Sequence, residues 1–212
     1  MNKIKISHGI REESIVVGNF FNKYESNNPI VRWIMNGFTS NLNELVSRVK
    51  PKTINEIGCG EGYWVIHWTK KGYQARGSDF SKTAINLAKI NAKNHGVDPS
   101  LFKISSIYNL RKKDGADLII CCEVMEHLES PEKALYCLQK ITSRFIILSV
   151  PNEPLWRFLN LLRGKYFLSL GNTPGHIQHW SRKEFVKLIS KNFKILSIKS
   201  PLPWTMLLCK KK

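Results

Sequence analysis

Asn55-Glu56-Ile57-Gly58-Cys59-Gly60-Glu61-Gly62 closes a short apolar run, Thr53–Ile57, and leads directly into an amphipathic segment that begins at Tyr63. Strand, glycine turn and helix in that order form a ligand-binding arrangement. Residues without a Cβ let the chain turn sharply and let a ligand approach the main chain at a helix start. The dinucleotide fingerprint GxGxxG/A puts its third small residue where this chain has Tyr63, one place beyond Gly62. The spacing therefore favours a nucleoside ligand without a pyrophosphate. Asp79 ends the next strand, where a carboxylate can accept hydrogen bonds from both ribose hydroxyls.

Outward from this turn, short apolar runs alternate with helix-length amphipathic segments. The periodicity predicts strands at Thr53–Ile57, Gln74–Ser78, Leu101–Ile104, Asp117–Cys122 and Arg144–Val150, with helices at Tyr63–Lys71, Lys82–His95 and Pro131–Ile141. Such alternation implies a parallel sheet covered on both faces, an α/β fold. Ser130 is placed to cap a helix with Pro131 at its first position, Gly96 to end one, and Ser181 with Glu184 to form a capping box. After the helix Glu184–Lys191, the runs Phe193–Lys199 and Trp204–Lys210 are close enough to pair as an antiparallel hairpin. Before the sheet, Ile15–Lys50 carries helical periodicity, with Ile30, Ile34, Phe38, Leu42 and Val46 as its stripe.

With 212 residues and 42% apolar content the chain suits one compact domain. It holds no apolar run long enough to span a bilayer and no signal-peptide pattern, so a cytoplasmic location is expected. Five cysteines without a CxxC pair argue for reduced thiols. The balance of 33 Lys+Arg against 16 Asp+Glu, a net charge of +17, would attract nucleic-acid phosphates, anionic lipid or an acidic small molecule. A dispersed, solvated basic surface is the plainer reading.

Glu123-Val124-Met125-Glu126-His127 is the segment richest in chemistry. In a helical turn Glu123, Glu126 and His127 would share a face. Two carboxylates and an imidazole there could hold a divalent cation if a further ligand such as His176 approached. His127 is equally a candidate general base, and a role in capping loops or orienting the site is the plainer alternative for these residues. The stretch 151–174 mixes Leu and aromatic residues with Arg157, Arg163 and Lys165; it suits a cap over an apolar acceptor, a contact with an anionic membrane, or an extra packed helix.

In order along the chain, INEIGCGEG, GSDFS, LFKISSIYNL, DLIICCEVMEHL and FIILSVPNEP resemble the motifs of the class I S-adenosylmethionine-dependent methyltransferases, nearest the ubiquinone-pathway O-methyltransferases and the methyltransferase type 11 and 12 group. The resemblance covers Ile54 to about Val150. It implies a Rossmann-like three-layer sandwich with a seven-stranded, mostly parallel sheet of order 3-2-1-4-5-7-6 whose last strand is antiparallel. Residues 1–50, with Phe20, Phe21 and Tyr24, are expected as a helical lid on the same domain, a plain packed helix being the alternative, and 51–212 as the methyltransferase domain with 151–174 as a cap insertion. Gly58, Cys59 and Gly60 would pass beneath the methionine part of the cofactor with Glu56 fixing the loop, and Asp79 would hold the ribose. Phe80, Ser106 and Ile107 would meet adenine, and Cys122 would line the methionine end.

E-x-x-E-H with a distant histidine also resembles two metal-assisted subgroups, the ubiquinone-pathway enzymes and the small-RNA terminal 2′-O-methyltransferases. This implies Glu123, Glu126, His127 and His176 as ligands of Mg or Mn, with Glu123 and His127 at the chemistry. The expected activity is O-methylation of a small, lipid-like or glycan acceptor in a biosynthetic pathway. RNA methylation and a non-catalytic scaffold with the same fold are the alternatives.

Overall fold

The alternation read from the sequence assembles as one mixed sheet. The computed structural model describes residues 3–12, 15–162, 164, 166 and 169–212. Strands β1 (Arg11–Glu12) and β2 (Ile15–Val16) form a small antiparallel pair ahead of helix α1 (Pro29–Val49). The main sheet comprises β3 (Thr53–Ile57), β4 (Gln74–Asp79), β5 (Phe102–Ile104), β6 (Ala116–Cys122), β7 (Thr142–Pro151), β8 (Phe193–Lys199) and β9 (Trp204–Lys211). Between them lie α2 (Tyr63–Lys70), α3 (Lys82–Asn94), α4 (Pro131–Ile141), α5 (Glu153–Leu162) and α6 (Arg182–Ser190).

The order across the sheet is β5-β4-β3-β6-β7-β9-β8, which is the expected 3-2-1-4-5-7-6 once the two leading strands are set aside. β9 runs antiparallel to both β7 and β8, and the other neighbours pair in parallel. From β3 the chain moves outward to β4 and β5, then returns to β6 on the other side. The crevice above the carboxyl ends of β3 and β6 is therefore the switch point, the place where open α/β sheets bind ligands.

Period-2 alternation divides the strand side chains between two cores. Ile54, Leu118, Ile120, Ile147 and Leu208 pack with Phe38, Leu42, Val65 and Trp68 of α1 and α2. Ile119, Cys121, Ile146, Leu148 and Leu207 pack with Leu135, Leu138, Phe185 and Ile189 of α4 and α6. All five cysteines are free thiols. Among the described residues no helix is long and apolar enough to cross a membrane.

Several local expectations need correction. Ile15 lies in a strand, and the helix before the sheet begins only at Pro29, where the Asn28 side chain accepts from the amides of Ile30 and Val31. Its buried face is Met35, Phe38, Leu42, Leu45 and Val46. Side chains spaced strictly by four advance about 400° per step on a helix of 3.6 residues per turn, so a stripe from Ile30 to Val46 winds about 160° around the axis. Ile30 accordingly ends up 68% exposed. Leu101 closes a short 3-10 turn ahead of β5 rather than starting the strand. Ser130 makes no side-chain cap on α4, whereas the Ser181–Glu184 capping box is present on α6. The insertion forms helix α5; Arg163, Lys165, Phe167 and Leu168 lie outside the described residues, as do residues 1, 2, 13 and 14.

Candidate functional site

A cavity of about 550 Å³ opens over the carboxyl ends of β3, β4 and β6. The glycine turn forms its floor, and its glycines serve different purposes. Gly58, at φ 78°, faces protein: a Cβ there would lie 2.2 Å from Val124 Cγ2. Gly60, at φ 49°, faces space: a Cβ would meet no atom within 4 Å, and the residue lines the cavity. Close approach of a ligand is thus open at Gly60, whereas Gly58 lets the β6 exit loop pack against the turn.

Asp79 stands across the cavity. Its Oδ2 accepts from the Gly60 amide at 3.0 Å and its Oδ1 from the Ser81 amide at 3.0 Å. Burial pushes its carboxyl up, against the downward pull of the Ser81 and Gly60 amides. A carboxylate has about four acceptor positions, so capacity remains for a diol. Glu56 is buried beneath the turn, its Oε2 without a partner among the described residues, and burial together with the Asp79 charge raises its carboxyl well above the ordinary value. Phe80, Ile107, Cys59 and Cys122 line the cavity. Burial pushes both thiols up, which keeps them protonated and inert. Ser106 does not line the cavity; its hydroxyl accepts from the Tyr108 amide at 3.3 Å, and Ser105 lines the wall in its place.

The N-terminal segment closes one side. Glu61, the residue after Gly60, is buried and accepts through Oε1 from the Ser7 amide (3.1 Å), the Ser7 hydroxyl (2.8 Å) and the Asn19 amide (2.8 Å), and through Oε2 from Asn19 Nδ2 (2.7 Å). Tyr24 stacks on Tyr63 with centroids 3.8 Å apart, and its hydroxyl accepts from Trp64 Nε1 at 3.1 Å. Lys23 pairs with Glu123.

The far end of the cavity holds the Glu123–His127 segment in a form the sequence did not suggest. Glu123 has φ 56° and sits outside the short 3-10 turn Met125–His127, so the shared helical face does not exist. Its carboxylate accepts from Lys23 Nζ and, at 3.0 Å, from Trp204 Nε1. Burial would raise it, but the Lys23 charge and these hydrogen bonds outweigh that and hold it below the ordinary carboxylate value.

Glu126, His127 and His176 do come together, with one potential ligand atom from each within 4.8 Å of the others. The Glu126 carbonyl accepts from the amides of Ile177 and Gln178, both at 3.0 Å, and this pins the 176–178 strand of chain beside the turn. Glu126 is 2% exposed and both its carboxylate oxygens lack partners among the described residues. Burial, then the Glu123 charge, raises its carboxyl well above the ordinary value. His127 Nδ1 lies 2.8 Å from the Gly175 carbonyl, which can only accept, so Nδ1 carries the proton and Nε2 the lone pair. Burial, with His176 beside it, pushes His127 down to about 4. A neutral imidazole with a free Nε2 is the form that ligates a metal, while a base that weak is poorly matched to proton abstraction near neutrality.

With this geometry in view, the relatives are informative. A family profile described as a methyltransferase domain matches residues 32–197. The chain belongs to the methyltransferase domain family. It is 36% identical over 87 residues to norajmaline N-methyltransferase of Rauvolfia serpentina, a match covering 40% of this chain and 30% of that enzyme. It is 22% identical over 123 residues to the ubiquinone biosynthesis O-methyltransferase of Aeromonas salmonicida, covering 56% and 52% respectively. The chain thus spans about half the length, or less, of these curated relatives. In fold it resembles the magnesium protoporphyrin IX methyltransferase of Synechocystis PCC 6803, crystallised with SAH, at TM-score 0.67 and 18% identity over 90% of this chain and 91% of that one.

Within this methyltransferase domain, Gly58, Gly60, Glu56, Asp79, Phe80, Ile107 and Cys122 line one cavity together with Glu126, His127 and His176. Lys23, Glu61 and Glu153 escaped the sequence reading. Each acts through a partner far away in the chain, and no local pattern marks such pairs. A buried acidic residue inside the glycine turn itself was the one available hint, at Glu61.

Proposed function

We propose that the chain transfers the methyl group of S-adenosylmethionine to a hydroxyl of a small, largely apolar acceptor. The observation that carries this reading is the continuity of the cavity: the Gly60–Asp79 end, shaped for a nucleoside diol, opens into a chamber lined by Trp156, Leu159, Trp204, Ile34 and Met35. The Glu126–His127–His176 cluster lines the same cavity. Asp79 would grip the ribose, Phe80 and Ile107 would flank the base, and the chamber would hold the acceptor in line with the methyl carbon. Because that carbon is already electrophilic, alignment and removal of the hydroxyl proton are most of what the protein must supply.

The residues fit a divalent cation. Both Glu126 oxygens are buried without a partner among the described residues, and the Gly175 carbonyl, by accepting from the Nδ1–H of His127, leaves the lone pair on Nε2. Glu126, His127 and His176 would hold the ion; Glu123, engaged by Lys23 and Trp204, would stand outside it. Two imidazoles with one carboxylate suit Mn(II) better than Mg(II), which prefers oxygen donors and retained waters. When bound, such an ion lowers the pKa of a coordinated hydroxyl. The Lys23–Glu123 pair closes the chamber wall and keeps Glu123 ionised.

The acceptor reading extends to the mouth. Ile30 and Leu162 line the cavity yet are 68% and 67% exposed, and Trp33 and Phe158 sit one turn away on the same helix faces. An exposed apolar rim on a chain of charge +17 suits an anionic bilayer that delivers a lipid-like acceptor. The test is incubation with methyl-labelled cofactor and extract separated into lipid, RNA and soluble metabolites. Label in the lipid pool is expected. Label confined to RNA would refute the acceptor class, and no label in any pool would refute the activity.

A further inference from the structure

Glu153 is the first residue of α5 and lies immediately behind the histidines, buried, on neither the cofactor side nor the acceptor wall. Its Oε1 is 3.2 Å from His176 Nδ1 and 3.4 Å from His179 Nδ1. A carboxylate oxygen only accepts, so His176 Nδ1, which faces it within hydrogen-bond distance, carries hydrogen. In the neutral ring this leaves the lone pair on Nε2. The main chain fixes the same relation, because the Glu153 amide donates to the Trp180 carbonyl at 3.1 Å. One turn further along α5, Trp156 stacks over the His176 ring at 6.1 Å and 29°, and its indole donates to Thr173 Oγ1 at 2.8 Å. The ring is therefore gripped at its edge by a carboxylate and on its face by an indole, both from one helix. Packing alone does not account for a buried carboxylate whose other oxygen, Oε2, has no partner among the described residues.

We propose that Glu153 is a positioning residue: it holds His176 as the Nδ1–H tautomer, leaving Nε2 as that ring's free donor beside Glu126 and His127. The two histidines of the cluster are then oriented differently. His127 leans on the neutral Gly175 carbonyl, whereas His176 leans on an anionic group, which makes it the stronger donor of the pair. Because Glu153 also begins the helix that carries Trp156, Leu159 and Leu162 along the acceptor chamber, the acceptor cap and the cluster are built as one unit. The inference rests on the reading that the cluster takes a cation, but the tautomer itself can be measured with no cation present.

Three preparations decide it: wild type, Glu153→Ala and the near-isosteric Glu153→Gln. Long-range proton–nitrogen NMR of the metal-free protein is expected to find His176 as Nδ1–H in the wild type and shifted toward Nε2–H in Glu153→Ala. Mn(II) titration followed by electron paramagnetic resonance is expected to show binding about 10- to 100-fold weaker in Glu153→Ala and an intermediate loss in Glu153→Gln. SAH affinity by calorimetry should stay at the wild-type value, which reports that the fold is kept; if Glu153→Ala does not fold, Glu153→Gln takes its place. A wild-type His176 found mainly as Nε2–H would overturn the proposal, as would an unchanged tautomer and unchanged Mn(II) affinity in the variants. Should the wild type take up no Mn(II), the cation reading falls, and the NMR result alone decides the role of Glu153.

Discussion

Gly58 and Gly60 look equivalent in the sequence and are not equivalent in the fold. Alanine at either must adopt a left-handed conformation, at about 1–2 kcal/mol. At Gly58 the new methyl also collides with Val124, adding about 1–3 kcal/mol of overpacking. Denaturant unfolding should therefore find Gly58→Ala clearly less stable than Gly60→Ala, while calorimetry should find the larger loss of SAH affinity in Gly60→Ala. Equal stabilities would show that the Val124 contact relaxes freely. For the cluster, Glu126→Ala is expected to abolish Mn(II)-dependent turnover and to leave SAH binding intact. Full wild-type activity in excess chelator would remove the metal from the account.

At this scale the sequence placed Gly60 and Asp79 just beyond or at the ends of neighbouring strands, and the structure brings them together on one cavity, the Gly60 amide donating to Asp79. The shared helical face read for Glu123 does not form, because residue 123 has a left-handed backbone outside the 125–127 turn and its carboxylate accepts from Lys23, a hundred positions earlier. Of the residues that the sequence placed near adenine, Phe80 and Ile107 line the cavity, while the Ser106 hydroxyl accepts from the Tyr108 amide, a local bond that leaves no mark in the sequence.

Among the elements, the five parallel strands and their helices were legible because two buried faces impose a period that composition cannot hide. The segment before α1 was not legible, since it owes its path to hydrogen bonds rather than to burial of a stripe. Glu61 ties Ser7 and Asn19 to the glycine turn, and Glu12 accepts from the Lys82 and Thr83 amides at the start of α3. Hydrogen bonds to a charged acceptor contribute about 1.5–3 kcal/mol each. Glu61→Ala should therefore raise amide exchange selectively across residues 4–25 while the central strands keep their protection, as read by hydrogen-exchange mass spectrometry. Unchanged exchange there would mean that Tyr24 stacking and the Lys23 pair suffice to hold the segment. The strict four-residue stripe of α1 likewise misled at one end, because it winds around the helix and delivers Ile30 to the cavity mouth.

Across the whole molecule, the exposed Trp33 and Phe158 stand on a chain of charge +17. Burying Trp33 and Phe158 in a bilayer interface would add hydrophobic attachment to the electrostatic attraction of anionic lipid. Co-sedimentation with phosphatidylglycerol vesicles is expected for the wild type and should weaken markedly in Trp33→Glu/Phe158→Glu, without change in SAH affinity. Equal sedimentation of the double variant would transfer membrane attachment to charge alone. The account depends most on the cavity being a cofactor crevice. A crystal structure of the protein grown with SAH tests that directly. The ribose hydroxyls should rest on Asp79, with the sulfur end passing over Gly60 toward Glu126. SAH bound elsewhere, or a diol that makes no contact with Asp79, would contradict it.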